Sequence, residues 1–367
     1  MAEETRKRKA EHIRVCLDQK AQAKEATTGF EDVQFVHKAL PEIDKQKIDL
    51  SSYFLGHKFE APIVVGAMTG GIAEAKEINA NIAQAVERLG LGMGLGSQRI
   101  AIQNPKVSET FAVARNKAPR AFLIANIGGV QLVNGYGVTQ VKKAVEMIGA
   151  DALAIHLNSL QEAVQPEGQA NFEGVLAKIA EVAGDLDVPV IVKETGSGIA
   201  WEEAKTLEAA GVKAIDVGGL GGTSFSAVEF YRTRREENNV RRFLGEVFWD
   251  WGIPTVASLA EVTQTVKIPV IASGGVRDGI DIAKALALGA SLASFAQPVL
   301  ESAVKSSDAT EKLLSLFIEE LKNVMFLVGA DRVENLIKVP LLVRGKTAEW
   351  LRLRGFRVEG YARREAK

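Results

Sequence analysis

The segment Ala154-Ile155-His156-Leu157-Asn158-Ser159-Leu160-Gln161-Glu162 leaves an apolar run and turns polar at once, presenting an imidazole, two amides and a carboxylate. Such groups can hold an anion, ligate a hard cation and move a proton. Parallel α/β enzymes build their sites where strands release polar groups at their carboxyl ends. The chain has only four histidines, which makes His156 in that position a candidate site residue. A polar loop that merely caps a helix is the plainer alternative.

Other strand-end stretches carry complementary chemistry. Ala67-Met68-Thr69-Gly70-Gly71, Gly96-Ser97-Gln98-Arg99, Asn126-Ile127-Gly128 and Ala296-Gln297-Pro298 offer small and hydrogen-bonding residues. Gly221-Gly222-Thr223-Ser224 and Gly274-Gly275-Val276-Arg277 each lead toward a helical segment. Backbone amides exposed by glycine at a helix N-terminus suit a phosphate, and Arg277 adds a cation. One glycine pair is as often a tight turn; two at adjacent strand ends point to a phosphate cradle. A cradle beside a mouth of small residues suits a phosphorylated cofactor lying flat, and flavin mononucleotide (FMN) is the natural candidate. Lys193 would face its electron-rich edge, with Thr69, Ser97 and Asn126 around the ring. Lys193 has two other roles open to it: a Schiff base in an aldolase, or a lysine paired with Glu194 or Asp216.

Eight short apolar runs position these groups: Ile63–Ala67, Gly92–Leu95, Ala121–Ala125, Ala152–His156, Val188–Lys193, Ala214–Val217, Ile268–Ala272 and Leu292–Ala296. Their continuous apolar character predicts strands buried on both faces, and amphipathic segments separate most of them at βαβ spacing. The expected fold is a (β/α)8 TIM barrel over residues 61–330. A doubly wound open sheet would require a dinucleotide fingerprint in its first turn, which Gly66-Ala67-Met68-Thr69-Gly70-Gly71 lacks. The interval after Val217 is long and contains the charged run Tyr231–Arg242, which predicts an insertion after the sixth strand. Residues 1–60 read as an N-terminal extension with a charged helix from about Glu4 to Glu25. One long helix, about Glu301 to Val328, should close the barrel, followed by a helical tail at 331–367.

Composition narrows the function classes. The 367 residues are 47% hydrophobic and 25% charged, with formal net charge −1; nothing global favours nucleic acid. Cys16 is the only cysteine, which rules out an internal disulfide and a cysteine-based zinc site. It lies far in sequence from every glycine-rich loop, so a catalytic thiol is not expected. No apolar run reaches the roughly 18 residues of a membrane span, and the start Met1-Ala2-Glu3-Glu4-Thr5-Arg6-Lys7-Arg8-Lys9 has no apolar signal core. A cytoplasmic enzyme is the expectation.

Several motifs occur in order and together resemble type 2 isopentenyl-diphosphate isomerases over essentially the whole chain. They are Arg8-Lys9-x-Glu11-His12, Ala39-Leu40-Pro41-Glu42, Ala67-Met68-Thr69-Gly70-Gly71, Gly96-Ser97-Gln98-Arg99, His156-Leu157-Asn158-x-x-Gln161-Glu162, Lys193-Glu194-Thr195-Gly196, Gly221-Gly222-Thr223-Ser224 and Gly274-Gly275-Val276-Arg277-x-Gly279. The resemblance implies an FMN-dependent barrel requiring reduced flavin, with NADPH as reductant, and Mg2+. It implies interconversion of isopentenyl and dimethylallyl diphosphate without net redox change, by a homotetramer or larger assembly. By motif, Gln161 corresponds to the residue beside the C2 proton and Glu162 to the Mg2+ ligand. Arg8, Lys9, His12, Ser97, Gln98, Arg99, His156 and Asn158 correspond to substrate contacts. Ala67, Met68, Thr69, Ser97, Asn126, Lys193, Thr223, Gly275, Val276, Arg277, Ala296 and Gln297 correspond to flavin contacts. Glu229 corresponds to an acidic residue near the flavin, so that Gln161, Glu229 and His156 form the expected catalytic set. Two positions depart from the family pattern: Phe225 stands where a tryptophan is expected, and Gly218 where a polar residue is expected. The alternatives are an FMN oxidoreductase of the hydroxy-acid oxidase or dihydroorotate dehydrogenase type, and a silent flavin-binding scaffold.

Overall fold

The computed structural model describes residues 2–18, 21–233 and 240–365. Eight parallel strands close into a barrel: Ile63–Val65, Gly92–Gly94, Phe122–Gly128, Ala152–His156, Val190–Lys193, Ala214–Asp216, Val270–Ala272 and Leu292–Phe295. Each coincides with one of the eight apolar runs. Strand order follows chain order, and the eighth strand pairs with the first through Ser294↔Val64.

Register decides which residues enter the lumen. The pairings Val64↔Gly92, Gly92↔Phe122, Ile124↔Ala152, Ala154↔Ile191, Ile191↔Ala214, Asp216↔Ile271 and Ile271↔Leu292 put one parity inward all round the barrel. The inward core is Val64, Phe122, Ile124, Ala152, Ala154, Ile191, Ala214, Ile271 and Leu292. A hairpin, Ser52–Phe54 with His57–Phe59, plugs its amino end through Phe54 and Phe59, which meet Phe122 edge-on or tilted at 5.9 and 5.5 Å. The opposite parity packs under the surrounding helices in a separate, larger core. Two residues further along each strand, the inward positions become Asn126, His156, Lys193, Asp216, Ser273 and Ser294. The lumen is therefore apolar below and polar at its carboxyl end, as barrel catalysis needs.

Both chain ends are tied to this barrel. Val33–Phe35 pairs antiparallel with Leu341–Val343 of the tail, and the tail carries the helix Gly345–Leu353. The first helix, Ala2–Leu17, packs against the helices Phe225–Arg232 and Gln297–Lys305 at the mouth. It stops at Leu17 rather than continuing to Glu25. The chain beyond is pulled into an extended pairing: Ser224 N donates to Ala21 O (2.7 Å) and Ala23 N to Gly222 O (2.9 Å). The insertion after the sixth strand supplies Phe225–Arg232 and Val240–Val247; the part of its charged run at 234–239 lies outside the described residues. The single closing helix is in fact two, Gln297–Lys305 and Ser307–Val328. Ser306 divides them by adopting extended backbone, and its hydroxyl caps the second helix at Ala309 N (3.1 Å), a standard N-cap role for serine.

Candidate active site

The mouth of the barrel opens into a cavity of about 310 Å3 lined by all eight strand ends and by the first helix. Gly275 (φ 73°) and Gly274 (φ 101°) hold the seventh-strand loop in left-handed backbone. A Cβ on Gly222 would lie 2.5 Å from Gly275 N, so the two glycine loops touch backbone to backbone and admit no side chain. Asp278 caps the helix Gly279–Ala287, its carboxylate accepting from Asp281 N at 2.8 Å. That helix and Gln297–Lys305 both begin at this rim. Arg277 stands between them, donating to Gln297 Oε1 (2.7 Å) and to Gln22 Oε1. Gln22 in turn donates to Thr223 Oγ1 (3.3 Å). Burial presses the Arg277 guanidinium below its ordinary value, partly offset by Asp281. A cation oriented by neutral amides beside two helix N-termini is suited to phosphate.

Across the floor lie Ala67, Met68, Thr69, Ser97, Asn126, Lys193, Thr223, Val276 and Ala296, all lining the cavity. Thr69 is buried, and its Oγ1 has no hydrogen-bond partner among the described residues. A buried hydroxyl left unpaired is costly unless a ligand satisfies it. The orphaned hydroxyl, the glycine cradle and Arg277 together fit a flat phosphorylated cofactor such as FMN.

The opposite end is polycationic. Arg8 and Lys9 of the first helix and Arg99 of the second-strand loop converge on the cavity. Lys9 Nζ donates to Ser97 O at 3.2 Å and lies 5.3 Å from the Phe111 ring centroid. Burial, then the charges of Arg8 and Arg99, pulls its ammonium down to about 7. His156 Nδ1 bonds to Asn126 Oδ1 at 2.8 Å, while Asn126 Nδ2 donates to Leu95 O (2.9 Å). That second bond fixes the amide, making Nδ1 the protonated nitrogen of the neutral ring. Burial, followed by Lys193, Arg99 and Lys9, lowers His156 to about 3. The neutral ring therefore presents Nε2 as an acceptor.

Between the two ends lie Asn158, Gln161 and Glu162. Asn158 Nδ2 donates to Gln161 Oε1 and Glu162 Oε1, each at 3.1 Å, and its own Oδ1 is buried with no partner among the described residues. Glu162 Oε2 accepts from Gln165 Nε2 and Gln169 N, each at 2.7 Å. Gln161 Nε2 donates to Glu229 Oε1 at 3.2 Å. Glu229 is fully buried and also bonds His12 Nε2 (3.1 Å) and Arg232. Burial works against its ionised form, but the His12 bond and the His12 and Arg232 charges outweigh burial and leave its carboxyl below the ordinary range.

The cavity thus gathers the sequence candidates with two exceptions. Glu229 stands behind Gln161 and does not line it. Gln98 is also turned away: its Nε2 donates to Ala144 O (2.7 Å) and its Oε1 accepts from Asn126 N (3.0 Å), both backbone groups. Its Nε2 also lies 3.5 Å from Met147 Sδ, and the fully buried side chain is outside the cavity lining. Sequence reasoning missed Ile13 and Cys16, which line the cavity with Met68 and Phe225; their spacing from Lys9 and His12 on one helix face was the available signal. Burial raises the Cys16 thiol to about 11, which keeps it an apolar lining group.

Among the described residues no cluster of three His, Cys, Asp or Glu side chains could hold a metal. Glu162 alone fits a magnesium ion that takes one carboxylate and draws its other ligands from water and substrate phosphate.

The same barrel is seen in solved structures of a mandelate oxidase variant with an FMN adduct and of an (S)-mandelate dehydrogenase variant. The first is 20% identical, covers 91% of this chain and 92% of its own, and superposes with TM-score 0.61. The second is 16% identical, covers 94% and 99%, and gives 0.64. Fold and mouth define a (β/α)8 barrel whose cavity has a polycationic end. A model of the FMN-dependent dehydrogenase family matches residues 1–157 and 158–341. Isopentenyl-diphosphate delta-isomerase of Methanosarcina barkeri is 48% identical over 99% of this chain and 98% of its own length. The Pyrococcus furiosus protein of that name is 51% identical over 95% and 89%. The chain belongs to the FMN-dependent dehydrogenase family and, within it, to the isopentenyl-diphosphate delta-isomerases. No helix among the described residues is long and apolar enough to cross a membrane.

Proposed function

We propose that the protein interconverts isopentenyl and dimethylallyl diphosphate by a 1,3-proton shift, using reduced FMN and Mg2+. The observation that carries this reading is one cavity lined by the cations Arg8, Lys9 and Arg99, by the carboxylate of Glu162 and, at the seventh-strand loop, by a phosphate cradle. Two separate anion sites suit a phosphorylated cofactor and a diphosphate substrate bound together.

Arg8, Lys9, Arg99, Ser97 and Asn158 hold the diphosphate, Asn158 through the Oδ1 that none of the described residues satisfies. His156 and His12 complete that end; a contact from His156 Nε2 to a phosphate oxygen takes up a proton on binding. Glu162, oriented by Gln165 and Asn158, holds Mg2+ against the same diphosphate. Ile13, Cys16, Met68 and Phe225 give the hydrocarbon an apolar wall. Arg277, Gly275, Val276, Thr223, Ala296 and Gln297 take the FMN phosphate and ribityl side, while Ala67, Met68, Thr69, Ser97, Asn126 and Lys193 meet the ring. Reduced FMN, held by these residues, would supply electron density and an ionisable ring nitrogen for the proton shift. Gln161 is a poor acid or base in its own right, so its fixed amide orients the C2 side of the substrate. Glu229 is the anion behind it, a positioning residue that also holds His12.

Residues 1–60 act as part of the active site, residues 61–330 as the FMN-binding barrel and 331–367 as its helical clasp. NADPH serves as reductant for the flavin. We place the enzyme in the cytoplasm, where the one free cysteine stays reduced. The exposed apolar face of Val240, Phe243, Val247 and Trp251 on the insertion supports association with further copies, and the assembly we propose is a homotetramer or larger.

Anaerobic incubation with FMN, NADPH, Mg2+ and isopentenyl diphosphate tests the reading. It predicts dimethylallyl diphosphate without net consumption of NADPH; no product from reduced, flavin-loaded protein would sink it. Net oxidation of a hydroxy acid would favour the oxidoreductase alternative instead.

A further inference from the structure

Under the cavity floor, Lys193 and Asp216 are register partners on adjacent strands, both pointing into the barrel. They do not touch: among the described residues Lys193 Nζ donates to Glu194 O at 2.6 Å, and no ion pair joins it to Asp216. Asp216 is buried, and Ser273 Oγ donates to its Oδ1. Ser273 Oγ in turn accepts from Gly218 N at 3.1 Å, so that its proton is committed to the carboxylate. Burial raises the Asp216 carboxyl, opposed by Lys193 and by the Ser273 bond.

Lys193 and Asp216 share a second, smaller cavity of about 20 Å3 beside the first, whose other polar side chains are Asn126 and Ser294. A cavity of that size holds one water, and a buried water requires two to four polar partners. We propose that one buried water bridges Lys193 Nζ and Asp216, and that Asp216, oriented by Ser273, pins the lysine beneath the flavin and sets the flavin's reduction potential. A fixed anion one water away offsets part of the cation's pull on an electron-rich ring, because charges in a low-dielectric lumen act strongly on each other. Asp216 is thus a positioning residue, acting through Lys193. The inference rests on FMN lying over Lys193, as in the function proposed above.

The test is the two-electron reduction potential of FMN-loaded wild-type, Asp216→Asn and Ser273→Ala proteins, measured anaerobically against indicator dyes. With the anion gone, Lys193 favours reduced flavin unopposed. Asp216→Asn is expected to raise the ratio of reduced- to oxidised-flavin affinity about tenfold, a positive shift of about 30 mV for a two-electron couple. Ser273→Ala leaves the carboxylate in place but frees it to turn, and should shift the potential the same way by less. If Asp216→Asn does not fold, Ser273→Ala decides alone. An unchanged potential in folded, FMN-loaded variants overturns this inference only; failure of the wild-type protein to bind FMN overturns the flavin reading with it. A high-resolution crystal structure with no ordered water between Lys193 and Asp216 overturns the bridge.

Discussion

Gln161 donates its amide N–H to Glu229 Oε1 at 3.2 Å while its own Oε1 accepts from Asn158 Nδ2 at 3.1 Å. An ionised carboxylate can only accept, so Glu229 determines which way the Gln161 amide faces the cavity. The insertion, which supplies Glu229, thereby orients a residue of the fourth-strand loop.

Replacing Glu229 with Gln removes that constraint, because an amide can donate as well as accept. kcat is expected to fall on the order of 10²-fold, the cost of a misplaced orienting group, with the FMN dissociation constant unchanged. The substitution also removes the buried anion that bonds His12 and Arg232. Arg232 keeps its ion pairs to Glu11 and Glu167, so the cost is that of a weakened charged hydrogen bond, about 1.5–3 kcal/mol, readable by denaturant unfolding. Wild-type kcat in the variant refutes the orienting role.

Glu162 is held by Gln165 Nε2 and Gln169 N on the same oxygen. Residues that orient a metal ligand typically change metal affinity ~10–100-fold when removed. Gln165→Ala should therefore raise the Mg2+ concentration for half-maximal activity by about tenfold, and Glu162→Gln by more. A Mg2+ titration of the rate checks both; unchanged Mg2+ dependence in Glu162→Gln removes it as ligand.

Lys9 gives diphosphate binding a pH dependence of definite sign. Burial, then Arg8 and Arg99, holds its ammonium at about 7 in the free protein. A bound diphosphate favours the charged form, so binding above that pH takes up a proton. Affinity for inorganic diphosphate should weaken as pH rises above about 7, by up to tenfold per unit. Calorimetry in buffers of different ionisation enthalpy counts the proton, and Lys9→Met should remove this component. The same shift acts on folding. The unfolded lysine titrates near 10.4, so between about 7 and 10 the unfolded chain binds more protons, and this group's contribution to stability rises with pH.

Among the described residues the Arg277 guanidinium bonds only neutral amide oxygens, at Gln297 and Gln22, which leaves its charge for the cofactor phosphate. Charge-assisted bonds of this kind contribute roughly 1.5–3 kcal/mol. Arg277→Met should weaken FMN binding on the order of 10–100-fold, measured by fluorescence titration. The variant's affinity for riboflavin, which has no phosphate, should not change. An equal loss for both flavins contradicts the cradle.

The amino-acid sequence by itself determined the barrel. Runs such as Ala152–His156 and Val270–Ala272 are buried on both faces, and burial on both faces leaves an unbroken apolar signature. It also determined which loops carry chemistry, because a parallel barrel gathers every strand's carboxyl end at one mouth. What it left open turned on partners distant in the chain. The first helix ends at Leu17 because Ala21 and Ala23 pair with Ser224 and Gly222, bonds to residues some 200 positions away that local propensity does not report. Gln98 and Ser97 are neighbours of similar polarity, yet only the fold turns Gln98 into backbone bonds and Ser97 into the cavity. Glu229 was legible as an acidic residue, but its place behind Gln161 follows from how the insertion packs. Lys193 and Asp216 were legible as a possible pair; strand register put them side by side, and their separation across a water-sized cavity belongs to the tertiary structure alone. Residue types set what chemistry is possible, and packing decides which groups remain unsatisfied and therefore free to perform it.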